Sequence, residues 1–375
     1  MDADIPVIDF SPWLVDEGFV VGDEPTAGQR ESAAAIDAAC RMHGFLFLAN
    51  LGAISPELTR RTFDASKALF AMPDADKLEQ LARIRPETNS GFSPFGTERL
   101  NRRRGADQKE AFNVRRPRDA PADALRGTPV AFRAAAAQLW DGLEALTHRY
   151  CLACALALGV ERDFFSAALR QLDLCTVRFL HYPPTDWPTA GAAPDAPLDG
   201  SAACAVRVSE HTDFGFVTVL LLDEGAEGLQ IKPVLGGEVG GAAGGERGGW
   251  RDVCAPAGAP HGALVNTGAL LARWTNDLWR ATAHRVVVPS AAVAARDRYS
   301  IACFLDPDTD ALVAPHAAFE RPRESARGGA EAEGGAAHGG AATATGARYA
   351  PITGGEFLLM KLREAQGRGS EATAL

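Results

Sequence analysis

The chain has 375 residues, 46% of them hydrophobic and 23% charged, the balance of a soluble globular protein with a sizeable core. Its 38 basic residues stand against 48 acidic ones, a net charge of −10, which removes the simplest electrostatic basis for binding nucleic acid. No window approaches the roughly 18–20 apolar residues of a membrane span, and Met1 to Phe10 reads as a strand with two acids, not as a cationic leader.

Ile5–Phe10 is expected as a short strand, Thr26–Met42 as a helix and Gly44–Leu48 as a buried strand. Ser55-Pro56-Glu57 combines a capping hydroxyl, a first-turn proline and an early acid, so a helix should run from there to about Ala71 and stop before Pro73. Residues 85–120 are polar and rich in Gly, Pro and Arg, and are expected to form a long ordered loop. The longest helix is expected over 134–158. Short β-type runs then dominate: Leu174–Tyr182, Val206–Val208, Val217–Leu222, Leu229–Ile231, Ala263–Val265, Arg285–Val288 and Arg298–Phe304. Such runs, separated by turn residues, predict an all-β sandwich or barrel. Gly354–Gln366 reads as a closing helix.

Three stretches read as flexible surface insertions, since none has the apolar content to offset its ordering entropy. They are Pro183–Ala203, Gly236–Gly249 with glycine at eight of fourteen positions, and Ser325–Ala347. Seven scattered cysteines, an odd number, fit free thiols in a reducing compartment, and a cytoplasmic protein is expected. Cys151 and Cys154 form a C-x-x-C, but it lies inside the long helical stretch with no second pair, so both are expected in the core.

His211-Thr212-Asp213 is an H-x-D before the run Val217–Leu222. If positions i and i+2 share a strand face, one imidazole and one carboxylate meet a single ion there. His284 precedes the run Arg285–Val288 and is the candidate third ligand. Two histidines and a carboxylate with open coordination positions suit Fe(II), and the lack of a cysteine ligand argues against structural zinc. Arg298 and Ser300 share a face of a later strand. An arginine pointing into a barrel core is costly unless an anion meets it, and a carboxylate satisfies it in bidentate fashion. Phe304 lies on the same face and should point into the barrel.

Together these stretches resemble a known family. Ile5-Pro6-Val7-Ile8-Asp9-Phe10, Asp107-Gln108-Lys109-Glu110-Ala111-Phe112, Arg178-Phe179-Leu180-His181-Tyr182-Pro183-Pro184, His211-Thr212-Asp213-Phe214-Gly215, Gly228-Leu229-Gln230, Trp274-Thr275-Asn276, His284-Arg285-Val286 and Arg298-Tyr299-Ser300 look like the isopenicillin N synthase-like branch of the 2-oxoglutarate/Fe(II)-dependent dioxygenases. Their order and spacing hold from residue 5 to about 310, with a weaker echo at Tyr349–Leu362. The resemblance implies a double-stranded β-helix, or jelly roll, over 171–375, with 1–170 as a mostly helical flanking region packed on it. It implies that His211, Asp213 and His284 bind Fe(II). Arg298 and Ser300 would take the distal carboxylate of 2-oxoglutarate, with Tyr182 as a third partner and O2 as the other co-substrate. The chain departs from the family at Asn266-Thr267-Gly268-Ala269, where an acid often occupies the last position.

Phe92, Phe95 and Phe112 are candidates for lining the substrate pocket along with Phe304, and the loop Thr88–Phe112 together with Phe304 is expected to supply its remaining wall. Arg102, Arg103, Arg104, Arg115, Arg116 and Arg118 make a basic cluster that reads as a solvated loop. The expected activity is hydroxylation, desaturation or another oxidation of a small organic molecule by a monomer, without nucleic-acid or membrane partners. An Fe(II) oxidase that dispenses with 2-oxoglutarate and a non-catalytic jelly-roll binding protein stand as alternatives.

Overall fold

The computed structural model describes residues 5–14, 24–85, 88–99, 105–116, 123–186, 206–232, 249–253, 261–319 and 346–366. The expected insertions at 183–203, 236–249 and 325–347 lie largely outside these residues, as do Arg102, Arg103, Arg104 and Arg118.

The N-terminal part alternates strands and helices: β1 (Val7–Asp9), α1 (Ala27–Met42), β2 (Phe45–Ala49), α2 (Pro56–Phe70), α3 (Asp74–Gln80), β3 (Gly91–Ser93), β4 (Glu110–Val114) and α4 (Val130–Leu158). Thr26 and Gln29 form a reciprocal capping box at the start of α1. At α2 the Ser55 hydroxyl accepts the Leu58 N–H with Pro56 in the first turn, as the sequence signals predicted. Helix α4 extends four residues N-terminal of its expected start and ends at Gly159, whose φ of 65° suits glycine. Its buried face, including Phe132, Leu139, Trp140, Leu143 and Leu146, packs against α1, α2 and the sheet. Full burial of each such side chain stabilises the fold by roughly 1.5–3 kcal/mol.

The remaining strands are β5 (Thr176–Tyr182), β6 (Val206–His211), β7 (Val217–Leu222), β8 (Leu229–Ile231), β9 (Arg251–Asp252), β10 (Gly262–Thr267), β11 (His284–Val287), β12 (Arg298–Leu305), β13 (Leu312–Val313) and β14 (Ile352–Thr353). Short helices α5 (Ala269–Trp274) and α6 (Ala291–Ala294) interrupt them, and α7 (Gly354–Gln366) follows them. An eight-stranded sheet in the order β1-β2-β10-β7-β12-β5-β4-β3 is opposed by a four-stranded one, β6-β11-β8-β9, giving the jelly roll.

Strand alternation gives the large sheet two faces. Phe112, Phe179, Ile301 and Val219 point outward into the core shared with α1, α2 and α4. Ala111, Leu180, Ala302 and Leu264 point inward and meet Val208, Leu229, Ile231 and Val286 of the small sheet.

Two expectations need correction. The region 1–170 is more than a helical flank, because it supplies β1, β2, β3 and β4 to the eight-stranded sheet. The supposed loop over 85–120 contains two of them. The sequence hides β4 because its polar residues are satisfied only by distant partners: Lys77 and His181 meet Glu110 at 2.8 and 2.7 Å, and Asn113 donates to Asn89 at 2.9 Å. The same error misplaced two phenylalanines. Phe92 pairs with Phe112, and Phe112 with Phe179, on the outward face, so both sit in the helix-side core and not on a substrate wall. Phe95 is exposed.

Candidate metal centre

His211 is the last residue of β6 and His284 the first of β11, and the two are paired across the small sheet. Two residues of β6 separate Val208 from His211, whereas one residue of β11 separates their partners Val286 and His284. This bulge turns His211 to the inward side that Val208 already faces. Asp213 does not share the strand; it lies in the turn after β6, so the arrangement of the H-x-D comes from that turn and not from alternation.

The ligand atoms of His211, Asp213 and His284 all lie within 4.8 Å of one another, the one such cluster of metal-ligating side chains among the described residues. Asp213 Oδ1 stands 3.7 Å from Nε2 of each histidine. Adjacent donor atoms about 2.1 Å from an octahedral ion are separated by roughly 3 Å, a gap that small side-chain rotations close. The tautomers are set by the backbone: Nδ1 of His211 donates to Ser209 O at 2.8 Å and Nδ1 of His284 to Thr282 O at 3.2 Å. Each Nε2 therefore keeps a lone pair for a metal. Asp213 Oδ2 accepts from Thr218 Oγ1 at 2.6 Å and from Asn266 Nδ2 at 2.7 Å, which leaves Oδ1 turned toward the imidazoles.

The electrostatics favour ligation over protonation. Burial and the neighbouring His284 bring His211 down to about 4, so its imidazole is neutral near pH 7. Burial works against ionisation of Asp213, but the two histidines and the hydrogen bonds from Thr218 and Asn266 outweigh it and hold the carboxyl low. These groups fit an Fe(II) ion, which needs neutral imidazole and an ionised carboxylate. The cysteines do not compete. All five described cysteines are buried and free, and burial pushes the Cys40 thiol up to about 12 and those of Cys151 and Cys154 higher still.

A cavity of about 230 Å³ opens from this centre between the sheets. At one end lies Arg298, 4% exposed, with its guanidinium 4.8 Å above the ring of Tyr182, the residue paired with it on β5. Its Nε donates to Glu227 O at 2.9 Å and its Nη1 to Ser300 Oγ at 3.3 Å. Among the described residues no carboxylate pairs with it, and burial lowers its pKa. A second buried guanidinium, Arg207, is lowered by burial and by Arg298, so this end of the barrel is positive.

Phe304 borders the same cavity as His211, Asp213 and His284, as its strand face predicted. From the stretch Thr88–Phe112 Asn89 and Lys109 reach the wall, whereas Thr176, Arg178, Asp306 and, from α7, Leu358 were missed by sequence reasoning. Arg178 and Lys109 both bind Glu98, the latter at 2.6 Å. Burial opposes ionisation of Glu98, yet those two cations hold it well below the usual carboxylate range. Arg178 alternates with Leu180 and Tyr182 along β5, a period-two signal that was available in the sequence.

Comparison with known proteins agrees with this geometry. Residues 5–131 match the family described as non-haem dioxygenase in morphine synthesis N-terminal, and residues 174–307 match the 2OG-Fe(II) oxygenase superfamily. The chain is 30% identical over 331 residues to Validamycin A dioxygenase of Streptomyces hygroscopicus subsp. limoneus, covering 85% of this chain and 81% of that protein. It is 27% identical over 320 residues to the 2-oxoglutarate-Fe(II) type oxidoreductase hxnY of Emericella nidulans, with 81% and 80% covered. Among solved structures it superposes on a full-length Neurospora crassa protein in complex with alpha-KG with a TM-score of 0.71, 27% identity and 96% of each chain covered. No helix among the described residues is long and apolar enough to cross a membrane. The chain is a 2-oxoglutarate-dependent Fe(II) oxygenase acting on small molecules, and it belongs to the 2-oxoglutarate/Fe(II)-dependent oxygenase superfamily.

Proposed function

We propose that His211, Asp213 and His284 are the Fe(II) ligands, that Arg298 and Ser300 take the distal carboxylate of 2-oxoglutarate, and that the substrate lies between the metal and Phe304. The observation that carries this is the convergence, in one cavity, of three metal-ligating side-chain atoms within 4.8 Å of one another and a buried guanidinium that faces no carboxylate among the described residues. When bound, Fe(II) supplies the oxygen activation that couples decarboxylation of 2-oxoglutarate to oxidation of a substrate C–H bond. The chain does the positioning. Thr218 and Asn266 aim one oxygen of Asp213, while the Ser209 and Thr282 carbonyls fix the imidazole tautomers. The Tyr182 ring and Glu227 carbonyl hold the arginine fork, so that a carboxylate entering beside Ser300 meets a preorganised partner. Leu180, Val208, Val286 and Ala302 line the space between and exclude water from it.

The substrate in this reading is a small, partly apolar molecule, handled by a cytoplasmic monomer that binds neither nucleic acid nor membranes. The experiment is anaerobic titration of the full chain with Fe(II) and then 2-oxoglutarate, followed by admission of oxygen with a panel of metabolites. A visible charge-transfer band on adding 2-oxoglutarate, and succinate release stimulated by one metabolite, are the expected results. Iron binding that 2-oxoglutarate leaves spectroscopically untouched would overturn the co-substrate assignment.

A further inference from the structure

The inward alternation along β12 continues one step past its last residue, Leu305. Arg298, Ser300, Ala302, Phe304 and Asp306 border the cavity at every second position. Phe304 is opposite Thr218, the residue bonded to Asp213, so it stands level with the metal ligands. Asp306 lies one step farther from Arg298, beside Gly215 and Phe216.

Asp306 is only 9% exposed. The Phe216 N–H beside it donates to Leu305 O at 3.1 Å, and among the described residues no Lys, Arg or His makes an ion pair with Asp306. The cation that acts on it most, Arg115, spends its donors on the carbonyls of Asp173, Leu174 and Cys175 and the hydroxyl of Thr176. Burial accordingly pushes Asp306 up to about 7. The fold also makes room for this acid: a Cβ on Gly215 would collide with Asp306 Oδ1. A buried carboxylate that borders a ligand cavity and has no cationic partner is costly unless the ligand brings one.

We propose that Asp306 reads the substrate, accepting a hydrogen bond from a basic nitrogen on a molecule whose apolar body rests against Phe304. This rests on the Fe(II)/2-oxoglutarate reading above and adds a substrate class to it. An ammonium or amidinium group supplies both the donor and the positive charge that the wall lacks. A carboxylate at that position would meet Asp306 and, close by, Asp213. The substrate thus lies between two complementary ends of one strand face: Arg298 selects the anionic co-substrate and Asp306 the cationic end of the molecule to be oxidised.

The test uses the full chain with Fe(II) and 2-oxoglutarate and three matched probes: cyclohexylmethylamine, cyclohexylmethanol and cyclohexanecarboxylate. Probe binding is read from its perturbation of the charge-transfer band without oxygen, and turnover from succinate once oxygen is admitted. The amine should act at a concentration about tenfold or more below the alcohol, the factor a charge-assisted hydrogen bond supplies, with no response to the carboxylate. The isosteric Asp306→Asn should erase that preference and leave the band with 2-oxoglutarate intact, which also shows that the variant is folded. An intact band with no amine preference in the wild type, or a preference that survives in Asp306→Asn, overturns the substrate class alone. Absence of the band from the wild type overturns the co-substrate reading and this one with it.

Discussion

The two faces of the eight-stranded sheet are built from alternate residues of the same strands, yet they obey different physics. On the outward face Phe179, Ile301 and Cys303 are fully buried against helices, and Phe179 lies 4.7 Å from Phe132 of α4, ring to ring. The side chains there are apolar and meet other apolar side chains of the protein. On the inward side Arg298 and Asp306 are nearly as buried, and among the described residues neither has an ion-pair partner of opposite charge. The outward face supplies the stability that lets the inward face hold charges in a low-dielectric space. Burial alone therefore does not distinguish core from site; whether the buried group is satisfied does.

Variants on each face should separate these roles. The largest effect is expected from Asp213→Ala, which should abolish Fe(II) binding and turnover while leaving the circular dichroism spectrum of the metal-free protein unchanged. Stoichiometric iron in that variant would break the assignment of the inward face. Phe179→Ala should act oppositely, destabilising the fold by about 3–5 kcal/mol in urea. The surviving folded fraction should still bind iron, and a loss under about 1 kcal/mol would show that the outward face is not the stabilising one. Arg298→Leu should weaken 2-oxoglutarate binding by about 2–5 kcal/mol with iron affinity unchanged, as measured by calorimetry in the two titrations.

The smallest effect tests the cost of an unsatisfied inward acid. The Asp306 carboxyl is raised on folding, from 3.8 to about 7. Its contribution to stability is fully present below the ordinary value and is lost as pH rises through about 7. Asp306→Asn cannot ionise. In the metal-free protein it should leave the melting temperature unchanged near pH 4 and raise it by a few degrees near pH 8, by scanning calorimetry. A destabilisation at the higher pH would mean that the carboxylate is satisfied after all.

Local chemistry made much of this legible. The Ser55-Pro56 start of α2, the long helix of α4 and the strands β5, β7, β8 and β12 depend on capping, periodicity and β-branched runs, which are properties of adjacent residues. The histidines, Asp213, Arg298 and Ser300 stood out because such groups next to apolar strands demand partners. The missed features share one cause. The partners of the polar residues of β4, Lys77 and His181 for Glu110 and Asn89 for the Asn113 amide N–H, come from elsewhere in the chain. The facing of Phe92 and Phe112 follows only once β3 and β4 are known to pair.

The sequence by itself determined the mixed helix-and-strand order and singled out His211, Asp213, His284, Arg298 and Ser300 as candidates, because each rests on residue chemistry at short spacing. Only the tertiary structure decided that four N-terminal strands belong to the large sheet, that a bulge in β6 brings His211 to the inward side, and that Thr218 and Asn266 hold one oxygen of Asp213. Only there do Gly215 and Asp306, far apart along the chain, meet at the cavity wall. Pairing register and bulges set which side of a sheet a residue faces, and a shift of one position reverses it. That information lies in contacts between distant segments, where periodicity and composition carry none.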